Sequence, residues 1–365
     1  MKGLIITNKG IEDIAAKEVK ELIKVDSSIG ETVVTFDIKK MDDLCLLCYK
    51  AQSINKVMYL FDSFRIKKDV IKQLEESIKK ADFTQFKKSF ALKCHRVGNH
   101  DFSSQDIETE LGGLIKDKIK KKVNLDSPEI IFYIYINDKD CYFGVDFAGM
   151  DLSKRDYKIF THPNSLKGTI AYSLVRISGF KDKQVILDPF CGSATIPIEA
   201  AFFISKQAIN YYRKNKLQFT RFIDFDFEKH EKTKKTTAKI NAYDIQMRYV
   251  KASQKNAKIA GINKLINFSR IEAEWLDTKH KEKSIDKIIT QPPSLSKYSD
   301  KEIIDKTYNE LFYQAKYVLK DNGYIVVISN DNLDDYAKKH GFKLKDKRDV
   351  WQGSVKILVW VFVKR

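Results

Sequence analysis

The sequence predicts an α/β fold in which a small α+β region precedes a doubly wound parallel sheet. From about residue 165 onward, apolar strand patterns alternate with helical ones, which is typical of repeated βα units. Before that point the elements are short and mixed, as in small α+β layers. Hydrophobic residues make up 43% of the 365-residue chain, which is enough to fill such cores and excludes a disordered protein.

The α+β region divides by pattern into two small units. Residues 1–65 read strand, helix, strand, helix, strand, in GLIITN, GIEDIAAKEVKELI, ETVVTFDI, MDDLCLLCYKAQSI and KVMYLFDSFRI. Residues 66–150 carry helical patterns at DVIKQLEESIKKA and SSQDIETELGGLIKDKIKKKV, and strand patterns at FALKCHRV, EIIFYIYIN and DCYFGVDFAG. We expect Ser103 and Ser104 to cap the second of these helices. A linker at 151–165 leads to a third domain at 166–365.

The third domain alternates between the two patterns along its length. Strands are predicted at KQVILDPF, KINAYDI, LINFSRIEAE, SIDKIITQPP and YIVVISN, and helices at TIPIEAAFFISKQAI, RYVKASQKNAKIAG and IIDKTYNELFYQAKYVLKDNG. The chain closes with GFKLKDKRDVWQGSVKILVWVFVKR, which reads as an antiparallel hairpin. Ligands of such sheets bind beyond the carboxyl ends of the parallel strands, so we look for a site there.

Charge and cysteine usage limit the function classes. Lysine and arginine outnumber aspartate and glutamate by 66 to 49, which gives a net charge of +17 and favours a polyanionic partner such as nucleic acid. Lysines that merely solvate the surface would give the same composition. No apolar run reaches the roughly 20 residues of a membrane span, and the start MKGLIITNKG turns polar too early for a signal peptide.

The five cysteines form an odd, widely spaced set, which fits a reducing compartment, so we expect a cytoplasmic protein. Cys45 and Cys48 form a C-x-x-C in an apolar helical stretch with no second pair of ligands nearby. A zinc site needs four ligands, so core packing is favoured and no metal is expected.

The first βα junction of the third domain, VILDPFCGSATIPIEAA, has the features of a ligand loop. Asp188 ends the strand, Gly192 and Ser193 form a tight turn, and a helix begins near Thr195. Glycine lets the backbone approach a ligand, and a helix N-terminus offers N–H groups to an anion. The loop lacks the later glycines of G-x-G-x-x-G and the G-K-[ST] of a P-loop. An acid beside free N–H groups fits a ligand with both an amine and a carboxylate, such as the methionyl part of S-adenosylmethionine.

The next three strands also end in polar residues. Asp244 ends the second strand, where a carboxylate commonly accepts two ribose hydroxyls. Glu272 follows the third strand and could accept from an adenine amine. The fourth ends in Thr290-Gln291-Pro292-Pro293-Ser294, where two prolines hold the backbone extended, so that a backbone carbonyl and a side-chain acceptor converge on a flat amine. One such acid is easily a cap or a surface group, but four in order indicate a site.

With these motifs the sequence resembles the THUMP-domain RNA methyltransferases over essentially its whole length. LIITNKGIEDIAAKEVKEL looks like the opening strand and helix of that family, and FALKCHRVGNHDFSSQDIETELGGLI with VNLDSPEIIFYIYI looks like its THUMP domain. LSKRDYK and HPNSLKGTIAYSLVRISGF resemble the segment before the catalytic domain, and LDPFCGSATIPIEAA is the most specific match. The resemblance implies ferredoxin-like and THUMP domains ahead of a Rossmann-like methyltransferase domain that uses S-adenosylmethionine, with archaeal tRNA guanine-N2-methyltransferases most similar.

The resemblance also implies roles for individual residues. The cofactor site would comprise Asp188, Phe190, Gly192, Ser193, Ala194 and Thr195 around the methionine, Asp244 at the ribose, and Glu272 with Ala273 at the adenine. The catalytic segment Gln291, Pro292, Pro293 and Ser294 would hold the target base. In the THUMP domain, Arg96 and His100 with neighbouring lysines would bind the RNA backbone or its 3′ end, although an ordinary solvated turn explains these two residues equally well.

Four positions depart from the family pattern. Ala194 stands where a second glycine is usual, which is penalised if the position requires a positive φ. Glu272 replaces an aspartate. Gln291 and Ser294 replace the Asp or Asn and the aromatic residue of the catalytic tetrapeptide. The Gln291 amide can still accept from an N–H, whereas Ser294 cannot stack on a base, a role that Tyr298 could take over.

The leading hypothesis is methylation of the exocyclic N2 amine of a guanosine in tRNA by a monomeric enzyme. Large-subunit ribosomal RNA is an alternative substrate, and an RNA-binding protein with little or no activity is an alternative of another class. A DNA adenine methyltransferase is disfavoured by the apparent THUMP unit. A cysteine-dependent pyrimidine C5 methyltransferase is disfavoured because the chain has no cysteine after Cys191.

Overall fold

Two seven-stranded sheets organise the chain, each within its own compact unit. They are described from a computed structural model, which covers residues 1–67, 69–295 and 300–365. The predicted combination of an α+β region and a Rossmann-like domain is confirmed.

The first unit comprises Met1–Thr7, Ala15–Leu152 and Ala208–Glu231. Its elements, in chain order, are β1 (Lys2–Thr7), α1 (Glu12–Ile23), β2 (Ser27–Gly30), β3 (Val33–Asp37), α2 (Asp42–Lys50), β4 (Ile54–Arg65), α3 (Val70–Lys80), β5 (Phe90–Val97), α4 (Ser104–Ile119), β6 (Ile130–Asn137) and β7 (Asp140–Asp146). The sheet order is β2-β3-β1-β4-β7-β6-β5. Because β4 pairs with both β1 and β7, one sheet runs across the expected boundary at residue 65.

Side-chain hydrogen bonds satisfy one end of each of two helices of this unit. Ser103 caps α4 by accepting from the Asp106 backbone N–H, and the Asp106 side chain accepts from the Ser103 N–H in return. Lys118 of α4 donates to the carbonyls of Ile78, Lys79 and Ala81, so it satisfies the exposed C-terminus of α3. These contacts fix α3 and α4 against each other on one face of the sheet.

The segment 208–231 belongs to the first unit although residues 153–207, which directly precede it in the chain, belong to the second. Its Leu217 and Phe219 are buried in the same hydrophobic core as Phe147. The backbone N–H of Phe219 donates to the Phe147 carbonyl at 3.1 Å. Burial of these side chains is the driving force that brings this part of the chain back to the first unit.

The second unit comprises Asn8–Ile14, Ser153–Gln207 and Lys232–Arg365. Its elements are α5 (Gly168–Ile177), β8 (Val185–Asp188), α6 (Thr195–Ser205), β9 (Lys239–Asp244), α7 (Met247–Ile259), β10 (Ile266–Arg270), α8 (Leu276–Lys279), β11 (Ile285–Thr290), α9 (Lys301–Val318), β12 (Leu319–Ile328), α10 (Asp334–Lys339), β13 (Phe342–Gln352) and β14 (Val355–Lys364). The sheet order is β10-β9-β8-β11-β12-β14-β13.

The first five strands of the second sheet are parallel, and β14 joins β12 antiparallel, followed by β13. The chain moves from β8 outward to β9 and β10, then returns to β11 on the other side of β8. The strand order therefore reverses between β8 and β11, and ligands of such sheets bind in the crevice beyond the strand ends at this point.

Candidate active site

The loop after β8 has the backbone shape that a ligand loop requires. Gly192 has φ +52° and Ala194 has φ +60°, so both are left-handed. The Ala194 N–H donates to the Cys191 carbonyl at 2.7 Å, and α6 begins at the next residue, Thr195. Ala194 makes no side-chain hydrogen bond as the N-cap of α6. The positive φ that penalises alanine at this position is therefore present.

Asp188 is almost fully buried, with 2% of its surface exposed. Its Oδ1 accepts from the Thr290 hydroxyl at 2.6 Å and from the Phe190 N–H at 3.2 Å. Burial raises the pKa of Asp188 to about 7, the two hydrogen bonds oppose that rise, and the nearby Asp244 charge adds to it. A cationic group in the adjacent cleft would therefore stabilise the ionised form of this carboxylate.

Asp244 is held beside the glycine loop by two backbone donors. Its Oδ2 accepts from the Gly192 N–H at 3.1 Å, and its Oδ1 accepts from the Gln246 N–H at 2.8 Å. The residue is buried, and this burial raises its pKa, while the backbone donors lower it. The two bonds fix the carboxylate at the end of β9, next to the end of β8.

A cleft of about 230 Å³ opens beyond the switch point of the sheet. Nine of the residues that the sequence predicts for the site line it: Asp188, Phe190, Gly192, Ser193, Thr195, Asp244, Gln291, Pro292 and Pro293. Ala194 is buried in the loop behind the cleft wall. The structure thus brings the predicted methionine-side residues together with Asp244 and most of the catalytic segment.

Glu272 and Ala273 are not among the residues that line this cleft. Glu272 follows β10 and borders a separate shallow pocket with Arg270 and Trp275. Ala273 begins a short 3₁₀ turn that ends at Trp275.

Ser294 also lies outside the lining and faces the end of β12. Its Oγ is 3.3 Å from the Ser329 Oγ, which in turn is 2.9 Å from the Tyr308 hydroxyl. The Leu295 N–H and the Tyr308 hydroxyl both donate to Asp331. This network holds the segment after β11 in place. Tyr298, the expected substitute for a stacking aromatic, lies outside the described residues.

The expected linker supplies residues that the sequence did not single out for the site. His162, Asn164 and Ser165 of the linker line the same cleft, and so does Leu166, the first residue of the expected third domain. The Ser165 hydroxyl lies 3.0 Å from the Ser193 hydroxyl and 3.2 Å from the Thr195 hydroxyl, which joins this segment to the ligand loop. In the sequence, the histidine, asparagine and serine that stand close together just before a helix are the feature that could have indicated these site residues.

Two further contacts hold the segment around Phe160 and His162 in place. Asn256 of α7 exchanges hydrogen bonds with the backbone of Phe160 and also donates to the Ser193 carbonyl. The His162 ring packs edge-on against Tyr249, with the ring centroids 4.5 Å apart. Burial lowers the pKa of His162, and the Asp244 charge opposes this. At neutral pH the neutral form of His162 is therefore favoured.

A buried ion pair supports the start of this segment. Arg155 and Glu199 are both buried and bind in bidentate fashion, with N–O distances of 2.8 and 3.2 Å. Tyr157 donates to the same carboxylate at 2.8 Å. A side chain at Gly168 would meet the Arg155 Nε at 2.4 Å, so only glycine fits beside this pair.

Arg96 and His100 belong to the first unit and the cleft to the second. Arg96 is half-buried on β5. His100 contacts the Asp138 carbonyl at 2.7 Å through Nε2 and packs near Phe102. Its Nδ1 is buried and has no hydrogen-bond partner among the described residues. The His100 ring is thus fixed by the turn it occupies.

The second unit has a parallel sheet of order β10-β9-β8-β11-β12 that an antiparallel hairpin extends. An acid stands at the end of β8, and a cleft lies at the switch point. Together these features define a Rossmann-like methyltransferase. A family model for the RMKL-like methyltransferase domain matches residues 155–355, and a THUMP-domain model matches residues 57–146. The chain belongs to the RMKL-like methyltransferase family and carries a THUMP domain. The family predicted from the sequence is confirmed.

Two relatives place the chain within that family. It is 30% identical to the tRNA (guanine(6)-N2)-methyltransferase of Methanocaldococcus jannaschii over 97% of this chain and 98% of that protein. It is 24% identical to the ribosomal RNA large subunit methyltransferase K/L of Aliivibrio fischeri over 91% of this chain but 49% of that protein. The chain therefore spans the whole of the first relative and about half of the second.

Solved structures share the whole fold. The TrmN structure from Thermus thermophilus has a TM-score of 0.76 at 20% identity, and covers 100% of this chain and 99% of its own. The SMU.472 structure, complexed with SAH, has a TM-score of 0.83 at 19% identity, and covers 100% of this chain and 98% of its own. At these identities the likeness concerns the fold.

The part of the chain that the structure describes contains neither a group of metal-binding side chains nor a helix that could span a membrane. No set of three or more histidine, cysteine or acidic side chains is grouped so that it could hold a metal ion. No helix has the length and apolar character needed to cross a membrane. The C-x-x-C cysteines lie buried in α2, where burial raises the pKa of the Cys48 thiol.

Proposed function

We propose that this protein transfers a methyl group from S-adenosylmethionine to the exocyclic N2 amine of a guanosine in tRNA. The observation that carries the proposal is that Asp188, Asp244 and the Gln291–Pro293 segment line one cleft at the sheet's switch point. The full-length similarity to a tRNA (guanine(6)-N2)-methyltransferase supports guanosine 6 as the target. The THUMP domain supports an RNA substrate.

The polar groups of the cleft fit the two charged ends of the methionine moiety. Asp188 is a buried carboxylate with a raised pKa, which an ammonium group would stabilise in its charged form. The N-cap residue Ala194 leaves the N-terminus of α6 without a side-chain cap, so its first N–H groups can bind a carboxylate. We assign Phe190, Gly192, Ser193 and Thr195 to the same end of the cofactor.

Asp244 fits the ribose of the cofactor because a carboxylate accepts hydroxyl hydrogens well. Its two backbone donors fix its orientation before any ligand binds. His162 and Ser165, from the expected linker segment, line the same cleft. Glu272 and Ala273 stay proposed for the adenine end.

S-adenosylmethionine supplies an electrophilic methyl group on a sulfonium, so the protein's task is to orient the amine and exclude water. The Gln291 amide oxygen and the Pro292 carbonyl accept the N–H hydrogens of the amine and hold its nitrogen toward the cofactor end of the cleft. Pro292 and Pro293 keep this backbone extended. Ser294, through Ser329, is a positioning residue for the segment.

In the first unit, Arg96, His100 and nearby lysines are proposed to bind the RNA backbone or its 3′ end. The net charge of +17 supports binding of a polyanion. We further propose that the protein is a monomer, by likeness to its family, and that it is cytoplasmic. Five cysteines without a disulfide support the cytoplasmic location. The domain limits 1–65, 66–150, 151–165 and 166–365 stay predictions.

Two other functions compete with this proposal. The similarity to the K/L methyltransferase favours a guanosine of large-subunit ribosomal RNA as an alternative substrate. The replacements at Gln291 and Ser294 favour an RNA-binding protein with little or no activity.

Substrates that differ in a single amine separate these functions. Purified protein is mixed with labelled S-adenosylmethionine and a tRNA that carries either guanosine or inosine at position 6, since inosine lacks the exocyclic amine. We expect N2-methylguanosine from the first tRNA and no label at position 6 of the second. Label in a large-subunit ribosomal RNA transcript alone would favour the ribosomal function. Cofactor binding with no label in either RNA would favour the inactive RNA-binding protein.

A further inference from the structure

A second cavity lies at the opposite edge of the second unit's sheet from the cofactor cleft. It has a volume of about 490 Å³ and adjoins the amino-terminal ends of β8 and β11. Three lysines line it, Lys181, Lys287 and Lys345, together with Asp286 and Asp346. None of the residues proposed for methyl transfer lies here.

Lys287 is the unusual member of this lining. Only 5% of its surface is exposed, because it sits within β11 between β8 and β12. Its ammonium stands 3.8 Å from the ring centroid of Tyr324. Among residues 1–67, 69–295 and 300–365, no group accepts a hydrogen bond from its Nζ. The Nζ is not one of the fully enclosed polar atoms of these residues, so the ammonium group reaches the cavity, where an anion can compensate its charge.

The two other lysines increase the positive potential of the cavity. Lys345 donates to the Tyr324 hydroxyl at 2.6 Å and lies over the same ring, with 4.4 Å to the centroid. Both Lys181 and Lys345 lower the pKa of Lys287, after the larger effect of burial, while Asp286 raises it; the resulting value is about 8. The ammonium groups of Lys181 and Lys345 are therefore close enough to repel that of Lys287.

The aspartates of the lining compensate this charge only in part. Asp286 accepts from the Val185 N–H and from Lys320, both at 2.8 Å, so its two oxygens are already engaged. Asp346 is the other acid. Lys320 lies outside the lining and offsets the charge of Asp286, so Asp346 alone opposes the three lining lysines, which leaves a surplus of two positive charges in the lining.

We propose that this cavity binds a phosphate dianion, either free inorganic phosphate or the terminal phosphate of a nucleotide, with Lys287 as its innermost contact. A double negative charge matches the surplus of the lining, and lysine binds phosphate as a compact point charge. The cavity is larger than one phosphate ion, so a nucleotide also fits. The site is independent of the proposed methyl transfer.

Calorimetric titration of the full chain with inorganic phosphate, and separately with adenosine monophosphate, tests this proposal at constant ionic strength. We expect binding to the unaltered protein that weakens about tenfold in Lys287→Met and less in Lys345→Gln. Lys264→Gln, which removes an exposed lysine of the same unit away from the cavity, controls for net charge and should bind as the unaltered protein does. Thermal unfolding shows whether each variant is folded. If Lys287→Met does not fold, Lys345→Gln still tests the proposal, because Lys345 is exposed and its replacement should leave the fold intact.

Tighter binding of adenosine monophosphate than of phosphate would support a nucleotide as the ligand, and equal binding would support free phosphate. Equal binding to the unaltered protein and to both cavity variants would overturn the proposal. So would the absence of any heat of binding at about 10 mM of either ligand. Loss of tRNA affinity in Lys287→Met, without phosphate binding to the unaltered protein, would assign these lysines to the RNA instead.

Discussion

The Thr290 hydroxyl donates to the Asp188 Oδ1 at 2.6 Å, and this bond joins the ends of β8 and β11 where the strand order reverses. One end of the bond belongs to the loop proposed for the cofactor, and the other immediately precedes the segment proposed for the target base. Both residues are buried. Thr290 therefore stabilises the ionised form of Asp188 and fixes the spacing between the two halves of the cleft.

Thr290→Val should weaken S-adenosylmethionine binding about tenfold at pH 7. The substitution keeps the shape but removes a hydrogen bond to a charged group, which is worth about 1.5–3 kcal/mol, and so raises the pKa of Asp188 further. Calorimetry measures the affinity, with Thr290→Ser as the control that retains the hydroxyl. A folded valine variant with unchanged affinity at pH 7 would show that this bond does not support the cofactor site.

Asp188→Asn should remove a pH dependence of stability from the ligand-free protein. The pKa of Asp188 is about 7 in the folded state, against about 3.9 in an unfolded chain. Between these values the native state retains a proton that the unfolded state has lost, so stability falls as the pH rises through this window. We expect a loss on the order of 3 kcal/mol between pH 4 and pH 8, measured by urea unfolding.

This decrease should be absent in Asp188→Asn and preserved in Asp277→Asn, which alters an exposed acid of the same unit. Because the ionised carboxylate is proposed to bind the ammonium, cofactor affinity of the unaltered protein should rise as the pH increases through about 7. The same decrease of stability in both variants would show that another group titrates.

Ala194→Gly should raise the free energy of unfolding by about 1 kcal/mol. Ala194 has φ +60°, a conformation that costs an L-residue about 1–2 kcal/mol and glycine almost nothing. Ala252→Gly, in the middle of α7, is the matched control and should lower stability by about 1 kcal/mol. Equal destabilisation of the two variants in urea would refute strain at Ala194.

Arg155→Met should lower the free energy of unfolding by about 3 kcal/mol, because it leaves the buried Glu199 carboxylate without its cation. Arg348→Met removes an arginine from a more exposed pair with Asp13 and should cost less than about 1 kcal/mol. Chemical unfolding of both variants measures the difference. Similar costs would mean that the buried pair contributes no more than the exposed one.

The sequence predicted the strand ends well because each carries a local signal. Asp188 and Asp244 end apolar strand patterns, and the parallel topology brings such ends to one edge. At Ala194 the sequence indicated only that alanine would be penalised if the position required a positive φ, and the structure has this φ. These features depend on residues that are neighbours in the chain.

Contacts between distant parts of the chain were not foreseeable. Ser165 meets Ser193 across 28 residues, and Thr290 meets Asp188 across 102, so no local periodicity records either contact. The return of residues 208–231 to the first unit depends on the burial of Phe219 in the hydrophobic core of that unit. The position of Glu272 depends on how the chain turns after β10, which strand patterns leave open.

Gln291→Ala tests most directly whether this cleft performs methyl transfer. Single-turnover transfer to unmodified tRNA is measured beside calorimetric binding of S-adenosylmethionine. The expected result is N2-methylguanosine from the unaltered protein, with a rate at least about 100-fold lower in the variant and cofactor affinity unchanged, since misplacement of the amine costs rate rather than cofactor binding. An undiminished rate in a folded variant, or methylation at an atom other than guanosine N2, would contradict the assignment of Gln291 to the target amine.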